Sequence, residues 1–137
     1  MKNQFTLFVM SLGIAAAVGT TQLSASEVTE KGSIPFEFQA GASHMEAGTY
    51  TVSTSDRHVV TVSNNETGAK RVVGLGIPTG KPTSGKAMLV FRRYGTRCFL
   101  SEIWYPEGYV QALPTSKLEQ EVAASLGKPE VTQIAMR

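Results

Sequence analysis

The sequence predicts an all-β domain, either a small antiparallel β-sandwich or a partly closed β-barrel of about six strands, with one short C-terminal helix. Between positions 34 and 104, apolar and polar residues alternate with a period of two, which is typical of strands with one buried face. Helical stretches do not separate these strands, so the sheet is expected to be antiparallel. The apolar period lengthens to four only near the C-terminus, which indicates a single late helix.

The N-terminus has the order of a secretory signal peptide. Lys2 precedes an apolar run over residues 5–18, and small and polar residues follow up to Ser26. The run is shorter than the roughly 20 apolar residues that cross a bilayer, so we expect cleavage near Ala25 or Ser26 rather than an anchor. The sequence therefore predicts a signal peptide over residues 1–26 and an exported protein, periplasmic or extracellular, with a single β domain over residues 27–137.

Composition excludes several classes of protein. The mature chain carries 12 basic and 11 acidic residues, because Lys2 is the only charged residue of the leader. A net charge of +1 lacks the broad positive field that nucleic-acid binding requires, and so no nucleic-acid partner is expected. One cysteine cannot build a disulfide scaffold.

The first half of the mature chain contains four predicted strands, at residues 34–38, 49–54, 59–63 and 71–77. Pro35 cannot donate a ladder hydrogen bond, which favours an edge strand or a strand start. Residues 41–48 are expected to form a connection, and residues 55–57 and 64–68 to form turns. Gly74 and Gly76 share one face of the fourth strand, where a side chain or a bend is expected to come close.

Residues 87–91 and 98–104 predict a hairpin whose two-residue loop, Gly95-Thr96, fits a type II′ turn. In this register Arg92 lies opposite Phe99, and Leu89 lies opposite Glu102. The two predicted faces carry Met88, Val90, Phe99 and Ile103 on one side, and Leu89, Phe91, Leu100 and Trp104 on the other. Both faces are apolar, so the hairpin is either covered on both sides or presents one face as an interaction surface, and we expect coverage on both sides.

A short helix is expected over about residues 116–126. Ser116 and Glu119 form a capping-box pattern, and Leu118, Val122 and Leu126 recur every four residues. Gly127 suits a left-handed C-terminal cap.

Residues 80–86 match the first seven positions of a phosphate-binding P-loop, but Ala87 replaces the hydroxyl residue that holds magnesium. A strand is expected to follow instead of the helix that such a loop requires, so the segment predicts a flexible basic loop and no nucleotide cofactor.

Cys98, His44 and His58 are the candidates for thiol or metal chemistry. Cys98 lies in an apolar run with no histidine at a spacing that ties it to the thiol, which favours a small buried side chain. His44 with Glu46, or His58 with Asp56, could begin a metal site, but each pair lacks an identifiable further ligand. No metal and no cofactor are therefore expected.

Glu102 lies inside the second strand of the hairpin, where a carboxylate must find a partner, take up a proton or face water. Arg92, Arg93 and Arg97 lie on the same hairpin, which favours a structural ion pair that fixes the strand register. The alternative is a general acid with a raised pKa, although no second carboxylate is placed to assist it.

Aromatic side chains supply the candidate binding residues. Tyr94, Trp104, Tyr105 and Tyr109 cluster in the sequence near Glu102. Such rings either stack on sugars or pack against the core. We take these five residues as the candidate binding set, and we predict no catalytic residues.

Four segments resemble a family of small uncharacterised exported proteins from soil bacteria. They are residues 34–38 (IPFEF), 47–52 (AGTYTV), 89–95 (LVFRRYG) and 99–104 (FLSEIW). The resemblance covers about residues 33–126, and Leu113-Pro114 before the helix also fits it. It implies a signal peptide followed by a compact β domain and implies no activity. Cys98 departs from the family pattern, which further weakens a thiol mechanism.

The function that these observations favour is a non-catalytic exported β domain, acting as a binding module or as an accessory of the cell envelope. Its partner could be an envelope component, a carbohydrate or a small apolar ligand. The first alternative is a hydrolase that uses Glu102, which would need a pocket where Glu102 meets a second polar group. The second is a carrier with an apolar interior cavity or a carbohydrate-binding module.

Overall fold

A computed structural model describes residues 28–80 and 85–137. The predicted signal peptide over residues 1–26 and part of the predicted basic loop, residues 81–84, lie outside the described residues. Residue 88 begins a strand, so a strand follows the loop as the sequence predicts.

The described residues form eleven strands and one helix, which confirms the all-β class with a single helix near the C-terminus. In chain order they are β1 (Val28–Ile34), β2 (Phe38–Ala40), β3 (Ser43–Met45), β4 (Gly48–Thr54), β5 (Val59–Asn64), β6 (Lys70–Leu75), β7 (Ile77–Thr79), β8 (Met88–Tyr94), β9 (Arg97–Trp104), β10 (Val110–Ala112), α1 (Lys117–Leu126) and β11 (Glu130–Ala135).

Two antiparallel sheets curl into a half-barrel. The first sheet has the order β1-β4-β5-β6, and the second has the order β11-β8-β9-β10-β7. The chain passes from one sheet to the other at Gly76, where an added Cβ would lie 2.3 Å from Oε1 of Gln111. On the opposite side, Lys31 and Arg137 exchange two backbone hydrogen bonds of 2.8 and 2.7 Å, which join β1 to the segment after β11. The sheets are therefore linked along both sides.

The hairpin of β2 and β3 lies beside the second sheet. β2 meets β9 through one parallel pair, Gln39 with Phe99, and pairs with β3 on its other side. Gly41 at the hairpin turn approaches β6 so closely that an added Cβ would lie 2.2 Å from the carbonyl oxygen of Val73. The positive φ of Gly41, 59°, and this contact both require glycine at the turn.

The register of the β8–β9 hairpin differs in part from the prediction. Arg92 pairs with Phe99 as expected, and Gly95 takes a φ of 61° at the first turn position. A bulge leaves Ser101 unpaired, so Leu89 lies opposite Ile103 and the predicted pairing of Leu89 with Glu102 is wrong. Because one extra residue reverses the direction of every later side chain, Ile103 faces the core and Trp104 faces outward.

Several predicted strand boundaries are wrong. The predicted strand at residues 34–38 is two strands, because Pro35 lacks the N–H that would continue the ladder after β1. Residues 41–48, expected to be a connection, contain β3. The predicted strand at residues 71–77 is divided at Gly76 into β6 and β7. The short strand β10 and the polar strand β11 were not predicted.

The core lies between the sheets and is filled by large side chains. Tyr50, Tyr105, Phe38 and Phe91 are at most 2% exposed, and the rings of Phe38 and Phe91 meet edge to face with centroids 5.4 Å apart. Cys98 is buried in the same core, as the sequence predicts.

The helix α1 covers the outer face of the β8–β9 hairpin, where Val122 packs with Tyr94 and Phe99. The expected coverage of the hairpin on both sides is thus confirmed for the end near its turn, whereas Glu102 and Trp104 on the same outer face stay partly exposed. Ser116 caps the helix by accepting a hydrogen bond from the backbone N–H of Glu119 at 3.1 Å. Within the described ranges, no helix has both the length and the apolar character needed to cross a membrane.

Candidate functional site

The five candidate binding residues do not form one surface. Tyr94 lies beneath α1 and is 5% exposed, whereas Tyr105 lies in the core and is fully buried. Trp104 and Glu102 lie together on the outer face of β9, where the indole Nε1 donates to Oε2 of Glu102 at 2.9 Å. Tyr109 is half-buried and packs against the core. The predicted set therefore occupies several separate environments.

Tyr105 and Tyr109 belong to a polar cluster at one end of the core. The Tyr105 hydroxyl forms a hydrogen bond with the hydroxyl of Thr54, and burial raises the pKa of Tyr105 to about 12. His58 lies beside Tyr109, whose hydroxyl is 2.9 Å from His58 Nδ1. Nε2 of the fully buried Gln111 lies 3.1 Å from the same ring nitrogen. These hydrogen bonds join groups inside the protein and do not form an open ring platform, and the buried Oε1 of Gln111 has no hydrogen-bond partner among the described residues.

A buried ion pair attaches α1 to the sheet. Nη2 of Arg92 lies 3.0 Å from Oε2 of Glu119, whose side chain is 3% exposed. The Tyr94 hydroxyl donates to the same carboxylate at 3.5 Å. Burial, with a smaller contribution from the charge of Glu119, raises the pKa of Tyr94. Arg92, one of the three predicted partners of Glu102, lies against Glu119 instead.

Two adjoining pockets lie where α1, the β2–β3 hairpin and the β8–β9 turn meet. The first has a volume of about 460 Å³ and is lined by Glu37, Phe38, Gln39, His44, Thr96, Arg97, Cys98 and Leu118. The second has a volume of about 380 Å³ and is lined by Arg97, Leu118, Glu121, Val122, Ser125 and Leu126. Arg97 and Leu118 line both pockets, so the two pockets are adjacent, and we call them together the groove.

The hairpin end of the groove is polar. Nε2 of Gln39 donates to Nδ1 of His44 at 3.1 Å, so a neutral His44 ring carries its proton on Nε2. This Nε2 lies 3.9 Å from Oε2 of Glu37, and both side chains are more than half exposed. The amide of Gln39 thus orients an imidazole N–H towards a carboxylate at the rim.

The helix end of the groove is apolar. Leu118 is 38% exposed and Leu126 is 58% exposed, while Val122 between them is buried against the sheet. A spacing of four residues places all three side chains near one side of the helix, yet they do not all face the core. Only one of them does, because α1 rests on the hairpin along a narrow line and its flanking leucines line the groove.

Cys98 and His44 line the same pocket, but the surroundings of Cys98 disfavour its thiolate. Burial raises the pKa of Cys98, and the nearby charge of Arg93 only partly opposes this effect. A nucleophilic cysteine needs the opposite shift. His44 has Glu37 as its acidic neighbour rather than the expected Glu46, and the described residues contain no group of three or more metal-binding side chains.

Comparison with known proteins adds no relative: no family model, curated protein or solved structure matches this chain. The resemblance to exported proteins of soil bacteria therefore stays a prediction.

The sequence analysis did not identify the groove residues as a site. Glu37, Arg97 and Glu121 come from three separate segments, and each alone is an ordinary surface charge. One signal was available, since Leu118 and Leu126 flank Val122 on a helix too short and polar to bury all three.

Proposed function

We propose that this protein is an exported, non-catalytic binding module and that the groove is its binding surface. The observation that carries the proposal is the exposure of Leu118 and Leu126 beside the charged rim residues Arg97 and Glu121. Apolar side chains that remain accessible next to charged groups are typical of recognition sites. A ligand seated there would remove apolar surface from water while meeting these charges.

The hydrolase alternative depends on Glu102, and it has less support. Glu102 lines neither pocket of the groove, and its oxygen Oε2 accepts a hydrogen bond from Trp104. A general acid needs a cavity that holds the substrate beside it.

The other two alternatives are also weaker. A carrier of a small apolar ligand would hold it between the sheets, where Tyr50, Phe38 and Phe91 already fill space. A carbohydrate module would use an exposed ring, and the half-exposed Trp104 lies outside the groove.

The binding test uses the exported chain, residues 27–137, immobilised and probed with a random-peptide phage library and a glycan array. Wild type is compared with R97E and L118E. The matched controls are R71E and V72E, because Arg71 and Val72 are exposed on β6 and line neither pocket.

We expect at least one probe class to bind wild type and both controls but neither groove variant. Binding that survives R97E and L118E, or that is lost in V72E, would place the binding surface elsewhere. Circular dichroism of each variant verifies that the fold is retained.

Export is tested separately by fusing residues 1–26, or the whole chain, to a reporter enzyme that is active only outside the cytoplasm. The proposal predicts activity that is lost when residues 5–18 are deleted.

A further inference from the structure

The first pocket of the groove is a cleft between two strands. Its walls include residues 37–39, at the start of β2, and residues 96–98, at the start of β9. The two strands run parallel and share a single pair, Gln39 with Phe99. On both strands the pocket lies on the N-terminal side of that pair, so it occupies the space that the strands leave between them before they meet.

The two walls of this cleft carry opposite charges. Glu37 and Arg97 each lie two residues before the paired residue of their own strand, so they occupy equivalent positions across the cleft. Both side chains are exposed, and that of Arg97 forms no hydrogen bond or ion pair with any described residue. The carboxylate and the guanidinium therefore line one pocket without neutralising each other.

We propose that this cleft binds a small zwitterion with an apolar side chain, which is the chemistry that a free apolar amino acid and a short apolar peptide share. The ammonium group of the ligand meets Glu37, and its carboxylate meets Arg97. This inference rests on the proposed function and names the ligand class of the groove.

The charge of the lining favours a zwitterion over an ion of one sign. With a neutral His44, the pocket carries one carboxylate and one guanidinium. An anion placed against Arg97 leaves Glu37 near a like charge, and a cation placed against Glu37 does the same to Arg97. A ligand with both charges gives each side chain an opposite partner, and hydrogen bonds between charged groups are stronger than those between neutral groups.

The size of the cleft and the rest of its lining fit an apolar side chain beside these charges. Its volume of about 460 Å³ lies within the range of small-molecule sites, which are mostly apolar with a few polar groups. Phe38 and Cys98 are buried in its walls, and Leu118 lines both this pocket and the next. A ligand side chain that lies against Leu118 extends towards Leu126 in the second pocket, and so leaves water.

Four small ligands test the proposal by amide NMR titration of residues 27–137. The titrations are made at about pH 7, where an α-amino group is mostly charged and an ordinary histidine is mostly neutral. Leucine and the dipeptide leucyl-leucine carry both charges. Leucinamide lacks the carboxylate, and isocaproate lacks the ammonium group. Each truncated ligand loses one exposed ion pair, so leucine should bind about fivefold more tightly than either.

Two conservative variants show which wall meets which end of the ligand. R97Q should abolish the preference for leucine over leucinamide and keep the preference over isocaproate, whereas E37Q should do the reverse. The matched controls are R71Q and E66Q, because Arg71 and Glu66 are exposed and line neither pocket, and both preferences should persist in them. Circular dichroism verifies the fold, and the second variant keeps the test decisive if the first fails to fold.

The two zwitterions distinguish the source of the ligand. Tighter binding of leucine supports a free amino acid, and tighter binding of leucyl-leucine supports a peptide. Equal affinities of leucine and both truncated ligands would overturn the proposal, as would preferences that persist in R97Q and E37Q.

Other occupants of the groove would also be detected. A glycan or a long peptide that binds in a manner dependent on Arg97 and Leu118, with no shift from any of the four ligands, would overturn the zwitterion and leave the proposed function in place. Dimerisation that L118E abolishes, seen by sedimentation, would show a second copy to be the occupant and would also overturn it. If no probe of any class bound in a groove-dependent manner, the proposed function would fail as well.

Discussion

The ion pair between Arg92 and Glu119 should determine how firmly α1 is held, and its two members should respond differently to substitution. Glu119 is 3% exposed, whereas the Arg92 side chain is 28% exposed. R92M retains the apolar stem but leaves a buried carboxylate with only the long hydrogen bond from Tyr94. Removing one partner of a buried pair costs about 3 kcal/mol, so R92M should lose about 3 kcal/mol of unfolding free energy.

Substitution of Glu119 should lower the unfolding free energy by less than substitution of Arg92 does. E119Q leaves a partly exposed guanidinium that water can reach, so we expect a loss of about 1 kcal/mol. R92M combined with E119L removes both charges and should recover most of the stability, because an apolar pair of similar volume replaces a buried ion pair at little cost. The control is R93M, since Arg93 is exposed and its Nε donates to the carbonyl oxygen of Gly95.

The assay is urea unfolding of residues 27–137, followed by circular dichroism and by the fluorescence of Trp104, the single tryptophan. Hydrogen exchange in R92M should increase first in α1. Two results would refute the role of the buried carboxylate. One is an equal, small loss of unfolding free energy in R92M, E119Q and R93M, and the other is a larger loss in E119Q than in R92M.

Three further predictions concern single residues. Folded Cys98 should react slowly with a disulfide reagent at about pH 8, because burial raises the pKa of its thiol and so lowers the thiolate fraction. Once urea unfolds the chain, Cys98 should react at the rate of a free thiol, and fast labelling of the folded protein would contradict the prediction. The pKa of Tyr105 is raised from 10.0 to about 12, so the folded state favours the neutral phenol and the free energy of unfolding should fall as pH rises from about 10 to 12. Tyrosinate absorbance recorded beside circular dichroism checks this. Full ionisation of all four tyrosines near pH 10 with the fold intact would contradict it. G41A should destabilise the fold by about 1–3 kcal/mol in urea unfolding, because Gly41 has a positive φ and the added Cβ would lie 2.2 Å from the backbone carbonyl oxygen of Val73. G80A, with nothing within 4 Å of the added Cβ, should stay within about 0.5 kcal/mol of wild type, and equal effects of the two substitutions would show that the contact is unimportant.

The class of fold could be predicted from the sequence because it depends on local patterns. The alternation in β4 and β5 and the capping serine of α1 each need only neighbouring residues. The turn at Gly95 is equally local, since a two-residue loop with glycine first constrains the chain to one geometry.

The details that could not be predicted depend on distant contacts. The bulge at Ser101 is favoured by core packing, because it turns Ile103 into the core and Trp104 outward. Most residues of β11 are exposed. The segment forms a strand because it pairs with the edge of β8. A polar segment beside an edge gives no signal of its own in the sequence.

The groove could not be predicted for the same reason. The β2–β3 hairpin brings Glu37 to one end, and the packing of Val122 fixes where Leu118 and Leu126 lie. The predicted aromatic set drew on residues that are adjacent in sequence, but consecutive residues of a strand point to opposite faces. Trp104 and Tyr105 therefore lie on opposite sides of the sheet.

The most direct test of the groove as the binding surface is an amide NMR map of residues 27–137 with the tightest ligand found for them. The account predicts shifts at the amides of Thr96, Leu118 and Leu126, with Val72 on β6 unchanged. Shifts concentrated on β6, or around Trp104 and Glu102 with the α1 amides unaffected, would contradict it.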